Sequence, residues 1–239
     1  MPVNKFTLEQ SIIHHLMMQS PFISDFGLLS GKMGISLFFY EYARHENEII
    51  YSDFAGELLD DIWDKVHNRV PISFESGLTG IAWGIEYLIQ NNFVEGNSNE
   101  ICAEIDQYIM KSDIRRLIND KFIKEELGGF LHYILGRFSG SIKQNKLLPF
   151  DSLYLADLYR SLSSLLQHNK RRLPTSVQTQ ILLVLQCLEW GKWADYTFDI
   201  FLFVNRLNMS KNIYLCELGI KKGLAGLLFH QMITKKITK

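Results

Sequence analysis

Gly31-Lys-Met-Gly34-Ile35 returns twice in this chain, as Gly77-Leu-Thr-Gly80-Ile81 and as Gly223-Leu-Ala-Gly226-Leu227. An apolar run at helical spacing follows each phrase, and its start is expected at or just after the second glycine. Two glycines three residues apart at the mouth of a helix let the backbone turn sharply and let two elements approach closely. Three copies at related intervals indicate an internal repeat, which decides the architecture before any single residue does.

Working outward, each phrase is preceded by a more polar segment. Phe54, Leu58, Ile62 and Val66 step by four through a charged stretch, predicting an amphipathic helix over 52–68 capped at Ser52. Ile101, Ile105, Tyr108 and Ile109 mark another over 99–119; Leu155, Leu158, Leu162 and Leu165 mark a third ending near His168. The stretches 35–42, 81–90, 130–138 and 177–188 are apolar on most sides, as helices buried nearly all round are. A first helix over 6–19 ends at Pro21, a helix is expected over 195–207, and Gly191 is a natural stop for the helix before it.

Taking Gly31, Gly77, Glu126, Pro174 and Gly223 as equivalent gives intervals of 46, 49, 48 and 49 residues. In the third copy the second glycine persists as Gly129, and in the fourth, Pro174-Thr-Ser-Val177, both are gone. Five copies of an outer amphipathic helix and an inner apolar helix account for nearly the whole chain. An inner helix that is apolar all round needs neighbours on both sides. The expected fold is therefore all-α, an α/α-toroid of about five helical hairpins forming a single domain over residues 1–239, its glycine loops gathered at one rim.

The bulk properties bound the function. A net charge of −1 provides no field for nucleic acid or an anionic membrane, and 47% hydrophobic with 21% charged residues is an ordinary globular composition. The longest aliphatic run, Ile181-Leu-Leu-Val-Leu185, is far too short to span a bilayer, and the first residues lack the apolar core of a signal peptide. Three widely spaced cysteines, Cys102, Cys187 and Cys216, argue against a disulfide framework, so a cytoplasmic setting is expected.

The glycine phrases resemble the lanthionine synthetase C-like family. Gly27-Leu-Leu-Ser-Gly-Lys-Met-Gly-Ile-Ser-Leu-Phe38 and Ser76-Gly-Leu-Thr-Gly-Ile-Ala-Trp-Gly84 carry the likeness, and Gly219-Ile-Lys-Lys-Gly-Leu-Ala-Gly-Leu227 is similar to the family's closing repeat. The resemblance implies a helical toroid. It also implies a zinc enzyme in which the metal activates a peptide cysteine that adds to a dehydrated Ser or Thr, closing a thioether ring. The family's Cys-His-Gly and Trp-Cys-x-Gly phrases, which bring the zinc ligands, are absent from this chain, and full-length members have seven hairpins against the five counted here.

Four carboxylates stand just before loop glycines: Asp25, Glu75, Glu126 and Glu217. As helix caps they would be stabilised by the helix dipole; as a rim they would contact a peptide or cation; Glu75 and Glu126 are also candidates for an acid/base pair of glycosidase type. Trp83, Tyr87, His132 and Tyr133 fall near the starts of inner helices, as core residues or as a cavity lining. Cys216 with His132 is the candidate metal pair, set against a reading of Cys216 as a small residue in a packed loop. Cys102 and Cys187 read as core filler. His14-His15 has no partner at metal spacing, and Lys170-Arg-Arg172 reads as a solvated run.

The expected function is a peptide-binding or accessory protein for modification of a ribosomally made peptide, with no cofactor and zinc only by family resemblance. The alternatives are an active thioether-forming cyclase and a carbohydrate-active toroid. The expected partners are a peptide or its modifying enzyme, with no nucleic acid or membrane insertion; five hairpins also leave room for an oligomer.

Overall fold

The computed structural model describes residues 7–66, 70–191, 196, 198–204 and 212–237. Its helices, in chain order, are α1 Leu8–Gln19, α2 Lys32–Glu46, α3 Ile49–Lys65, α4 Leu78–Gln90, α5 Ser98–Ile101 and α6 Ala103–Lys111. There follow α7 Ile114–Leu117, α8 Asp120–Glu125, α9 Leu127–Lys143, α10 Ser152–Asn169, α11 Thr175–Trp190 and α12 Leu224–Ile237. Among the described residues the secondary structure is entirely helical. The chain divides into two compact units, one made of Met1–His67 with Asp199–Lys239 and the other of Asn68–Phe198.

The five reference positions of the repeat each immediately precede a helix: Gly31 before α2, Gly77 before α4, Glu126 before α9, Pro174 before α11 and Gly223 before α12. The helices thus begin at the first glycine of each phrase, not the second. The reason lies in the loop. The first helical N–H bonds back to a carbonyl seven residues earlier in all three glycine copies: Lys32 to Asp25 (2.9 Å), Leu78 to Pro71 (3.0 Å) and Leu224 to Glu217 (2.9 Å). Each bond satisfies an otherwise orphaned donor at the helix start.

This closure brings backbone against backbone. A Cβ on Gly31 would lie 2.4 Å from the Asp25 carbonyl oxygen and 2.5 Å from the Gly27 nitrogen. On Gly77 it would lie 2.0 Å from the Pro71 oxygen and 2.7 Å from the Ser73 nitrogen, and on Gly223 2.4 Å from the Gly219 nitrogen. The second glycine meets the same crowding one turn on, since a Cβ on Gly34 or Gly226 would lie 2.0 Å from the carbonyl of Leu28 or Ile220. Copies three and four are built otherwise: α8 runs into α9 almost without a break, and Gly129 is required because a Cβ there would lie 2.3 Å from the Phe74 side chain.

In the first unit α2 and α3 form a tight hairpin, turned at Asn47 in the left-handed conformation (φ 58°) that asparagine tolerates. The cap expected at Ser52 is absent: Ser52 sits inside α3, its hydroxyl bonded to the Ile49 carbonyl at 2.7 Å. Gly56, mid-helix in α3, has room for a methyl group, the nearest atom being the Tyr40 hydroxyl at 3.7 Å. Gly56→Ala is expected to stabilise the protein by about 0.5–1 kcal/mol through the helix propensity gained, read as a rise in urea midpoint.

Lys32, the residue after Gly31, is 1% exposed. Its ammonium bonds to the Pro21 carbonyl at 2.8 Å and pairs with Asp61, which Lys65 also engages. These bonds hold the Asp61 carboxyl below its usual range, the Lys32 bond contributing most. The first and last glycine loops lie side by side, the Lys221 N–H donating to the Leu29 carbonyl at 3.0 Å, and α12 packs on α2 with Phe229 edge-on to Phe38.

In the second unit α4 packs on α9, α9 on α11, and α10 on α11. The long helix expected over 99–119 is broken into α5, α6 and α7. Side chains of Asn97, Asp113 and Asn119 accept from backbone N–H groups two or three residues on, offering the chain new helix starts in place of one continuous helix. Of the helix expected over 195–207, the described residues hold a 3-10 turn at Ile200–Phe203, and the rest of that span lies largely outside them. Helix α11 departs from the all-round burial expected of it. Val177, Ile181, Val184 and Cys187 form one buried stripe, whereas Leu182 and Trp190 are exposed.

Candidate functional site: an aromatic bed with a histidine–tyrosine pair

The expected site residues separate into groups. The four carboxylates stand at three different places in the repeat. Asp25 and Glu217 occupy the same position, where the backbone carbonyl closes the loop; Glu75 lies three residues before the start of α4; Glu126 is itself the residue preceding α9. Gly31, Gly77 and Glu126 make no side-chain cap bond, and the Asp25 carboxylate accepts instead from the Gly27 N–H at 2.7 Å within the loop. At the starts of α2, α4 and α12 the first helical N–H is met by a backbone carbonyl of the loop.

Trp83 and His132 do come together, through a residue the sequence reading passed over. Phe74 enters the space left by Gly129 and meets both rings, at 6.0 Å from Trp83 and 5.7 Å from His132. Trp83, wholly buried, stacks on Tyr87 at 5.5 Å. Phe198 lies 4.8 Å from Trp83 and 5.9 Å from Tyr87, and Tyr196 hydrogen-bonds His132 Nδ1 through its hydroxyl at 2.6 Å. Gly136 makes the fit possible, since a Cβ there would lie 2.9 Å from the indole and 3.0 Å from the Phe198 ring.

Burial lowers the His132 imidazole to a pKa of about 4, so it is neutral at physiological pH. Burial likewise raises the Tyr196 phenol. A protonated phenol facing a neutral imidazole donates to Nδ1, which leaves Nε2–H as a donor. The pair is suited to recognition and poorly suited to proton abstraction near neutrality.

The sign of the linkage follows from the depressed value. The unfolded chain protonates His132 near pH 6.5 while the folded one resists until about pH 4. The stability it contributes is present above pH 6.5 and falls away as pH drops toward 4. His132→Phe is expected to flatten the loss of urea midpoint between pH 6.5 and 4 relative to the parent protein.

Cys216, in the first unit, points its thiol at the Asn212 carbonyl at 3.5 Å, whereas His132 is in the second unit. Among the described residues no three His, Cys, Asp or Glu are grouped to hold a metal ion, and the His132 nitrogen that faces a partner is occupied by Tyr196. Cys102 and Cys187 are buried, and burial pushes the Cys102 thiol up to about 12. Lys170, Arg171 and Arg172 are exposed, as expected of a solvated run.

Tyr133 faces away from the bed, into an ionic cluster that the sequence reading missed. Its hydroxyl donates to Asp106 at 2.6 Å, and Arg137 donates through Nε and Nη2 to the same carboxylate, through Nη1 to Glu86 at 2.6 Å and through Nη2 to Asn99 at 3.0 Å. Arg137 and Glu86 are fully buried and Asp106 is 1% exposed. Burial raises the Asp106 carboxyl above its ordinary value against the pull of Arg137. The available signal was a lone Glu86 and a lone Arg137 in otherwise apolar helices. A separate open cleft of about 470 Å³ lies between α7–α8 and α10, lined by Arg115, Asn119, Arg160, Ser164 and Asn169 among others. Its arginines are already paired with Asp113 and Asp157.

No protein-family model, curated protein or solved structure matches this chain. Among the described residues no helix is long and apolar enough to cross a membrane.

Proposed function

We propose that this is a short lanthionine synthetase C-like protein, an α/α-toroid that binds a ribosomally made peptide or assists its modification without zinc cyclase chemistry. The observation that carries the reading is the threefold recurrence of one loop, at 25–34, 71–80 and 217–226, closed by the same long-range backbone bond, with its first glycine pressed against loop backbone in every copy. Within the first unit the first and last loops lie side by side and α12 packs on α2, which supports the toroid reading. The aromatic bed around Trp83 and His132 supports a peptide ligand, because buried rings with a few aimed donors suit side-chain recognition.

The test uses purified protein with a fluorescein-labelled, dehydrated peptide carrying one cysteine. Saturable binding with no loss of free thiol is expected, and zinc well below one equivalent. Thiol consumption or stoichiometric zinc would overturn the accessory reading, and absence of binding would overturn the peptide reading. The carbohydrate-active alternative finds no comparable support in the placement of Glu75 and Glu126.

A further inference from the structure

The bed and its occupants differ in how they are held. Trp83 and Tyr87 stand on α4 and His132 on α9, two helices packed against each other, so the receiving surface is fixed by regular structure. Tyr196 and Phe198 lie outside any helix, one residue apart, and both are half-buried. Their rings are 6.3 Å apart and settle on adjoining parts of the same surface. Phe198 enters the notch left by Gly136, and Tyr196 caps His132 with a directed hydrogen bond.

We infer that Tyr196 and Phe198 are resident occupants of a peptide site, taking the place of two aromatic side chains of a ligand. The inference rests on the peptide-binding reading above and names its ligand: a peptide with two aromatic residues separated by one residue, one of them a tyrosine that donates to His132. The chemistry is that of aromatic rings buried in a preformed pocket with one donor–acceptor pair fixing orientation. A tethered occupant competes at an effective concentration of order millimolar, enough to mask a free peptide of modest affinity.

The experiment compares the parent protein with Tyr196→Ala/Phe198→Ala. The probe is a fluorescein-labelled peptide with the sequence of residues 195–199, Asp-Tyr-Thr-Phe-Asp, and the control replaces its Tyr and Phe with Ala. The variant is expected to bind the probe about tenfold or more tightly than the parent, with no binding of the control. Equal affinities in parent and variant, or no binding by a variant with the parent's far-ultraviolet circular dichroism, would overturn the proposal. Should the double variant lose helical signal, Tyr196→Phe decides. It removes only the hydroxyl, so tighter probe binding than by the parent supports the inference and unchanged binding overturns it. Since the probe carries neither cysteine nor dehydrated residues, its failure leaves the dehydrated-peptide test standing. Success here alongside failure there removes the modification role and keeps the site.

Discussion

Arg137→Leu is expected to destabilise the protein by about 3–5 kcal/mol, the range for breaking a buried ionic cluster by deleting one partner. The guanidinium is the cation shared by Glu86 and Asp106, and without it two carboxylates are left facing each other in an apolar interior. Glu86 has no room to move away, because α9 passes it at Gly140, where a Cβ would lie 1.8 Å from its carboxylate oxygen. Acid supplies the control. In the variant the Asp106 carboxyl, already raised by burial, loses the opposing pull of Arg137, so the deficit is greatest at neutral pH and shrinks as pH falls and it takes up a proton. Urea midpoints at pH 7 and pH 5 measure this, and a deficit that does not narrow at pH 5 would show that the loss is one of packing instead. The triple change Arg137→Leu/Glu86→Gln/Asp106→Asn is expected to recover part of the loss, since it removes the uncompensated charge.

Gly34→Ala and Gly226→Ala are the second large effect. In each a new Cβ would lie 2.0 Å from a backbone carbonyl oxygen, a contact relieved only by moving the loop that closes the helix start. A loss of about 3 kcal/mol or more is expected for either, in the class of backbone conflicts that exceed ordinary surface substitutions. Gly128→Ala is the matched control. Its Cβ would rest 3.6 Å from Val177 in ordinary contact, so no loss beyond about 0.5 kcal/mol is expected. Guanidinium midpoints of the three variants test the distinction, and equal losses at Gly128 and Gly34 would remove the argument from close approach.

The register of the repeat was legible because it is written in apolar periodicity and in backbone-critical residues. Gly31, Gly77, Glu126, Pro174 and Gly223 each stand immediately before a helix, although the third and fourth lack the glycine pair. The helix start was misjudged by about three residues because the second glycine was read as the hinge. Its role is to let the loop carbonyl pass over an already formed first turn. The four carboxylates do not share one place in the repeat, because adjacency to a glycine in sequence does not fix a place in the loop: Glu75 and Asp25 stand at different positions.

The aromatic bed was half visible. Trp83 and His132 stand out at helix starts, but Tyr196 and Phe198 come from a segment with no periodicity, and only the tertiary fold brings them to Gly136 and His132. The ionic cluster joins residues 31 and 51 positions apart in sequence, a pairing that no local pattern encodes.

The unit built from both ends of the chain sets an order of events during synthesis. Asn68–Phe198 is continuous, so every partner it needs has been made by the time Phe198 leaves the ribosome. The other unit has to hold α1, α2 and α3 open until α12 arrives, since Phe38 completes its core against Phe229 and Leu29 receives its bond from Lys221. Until α12 has been made, the α2–α3 hairpin therefore exposes the apolar face that Phe229 covers.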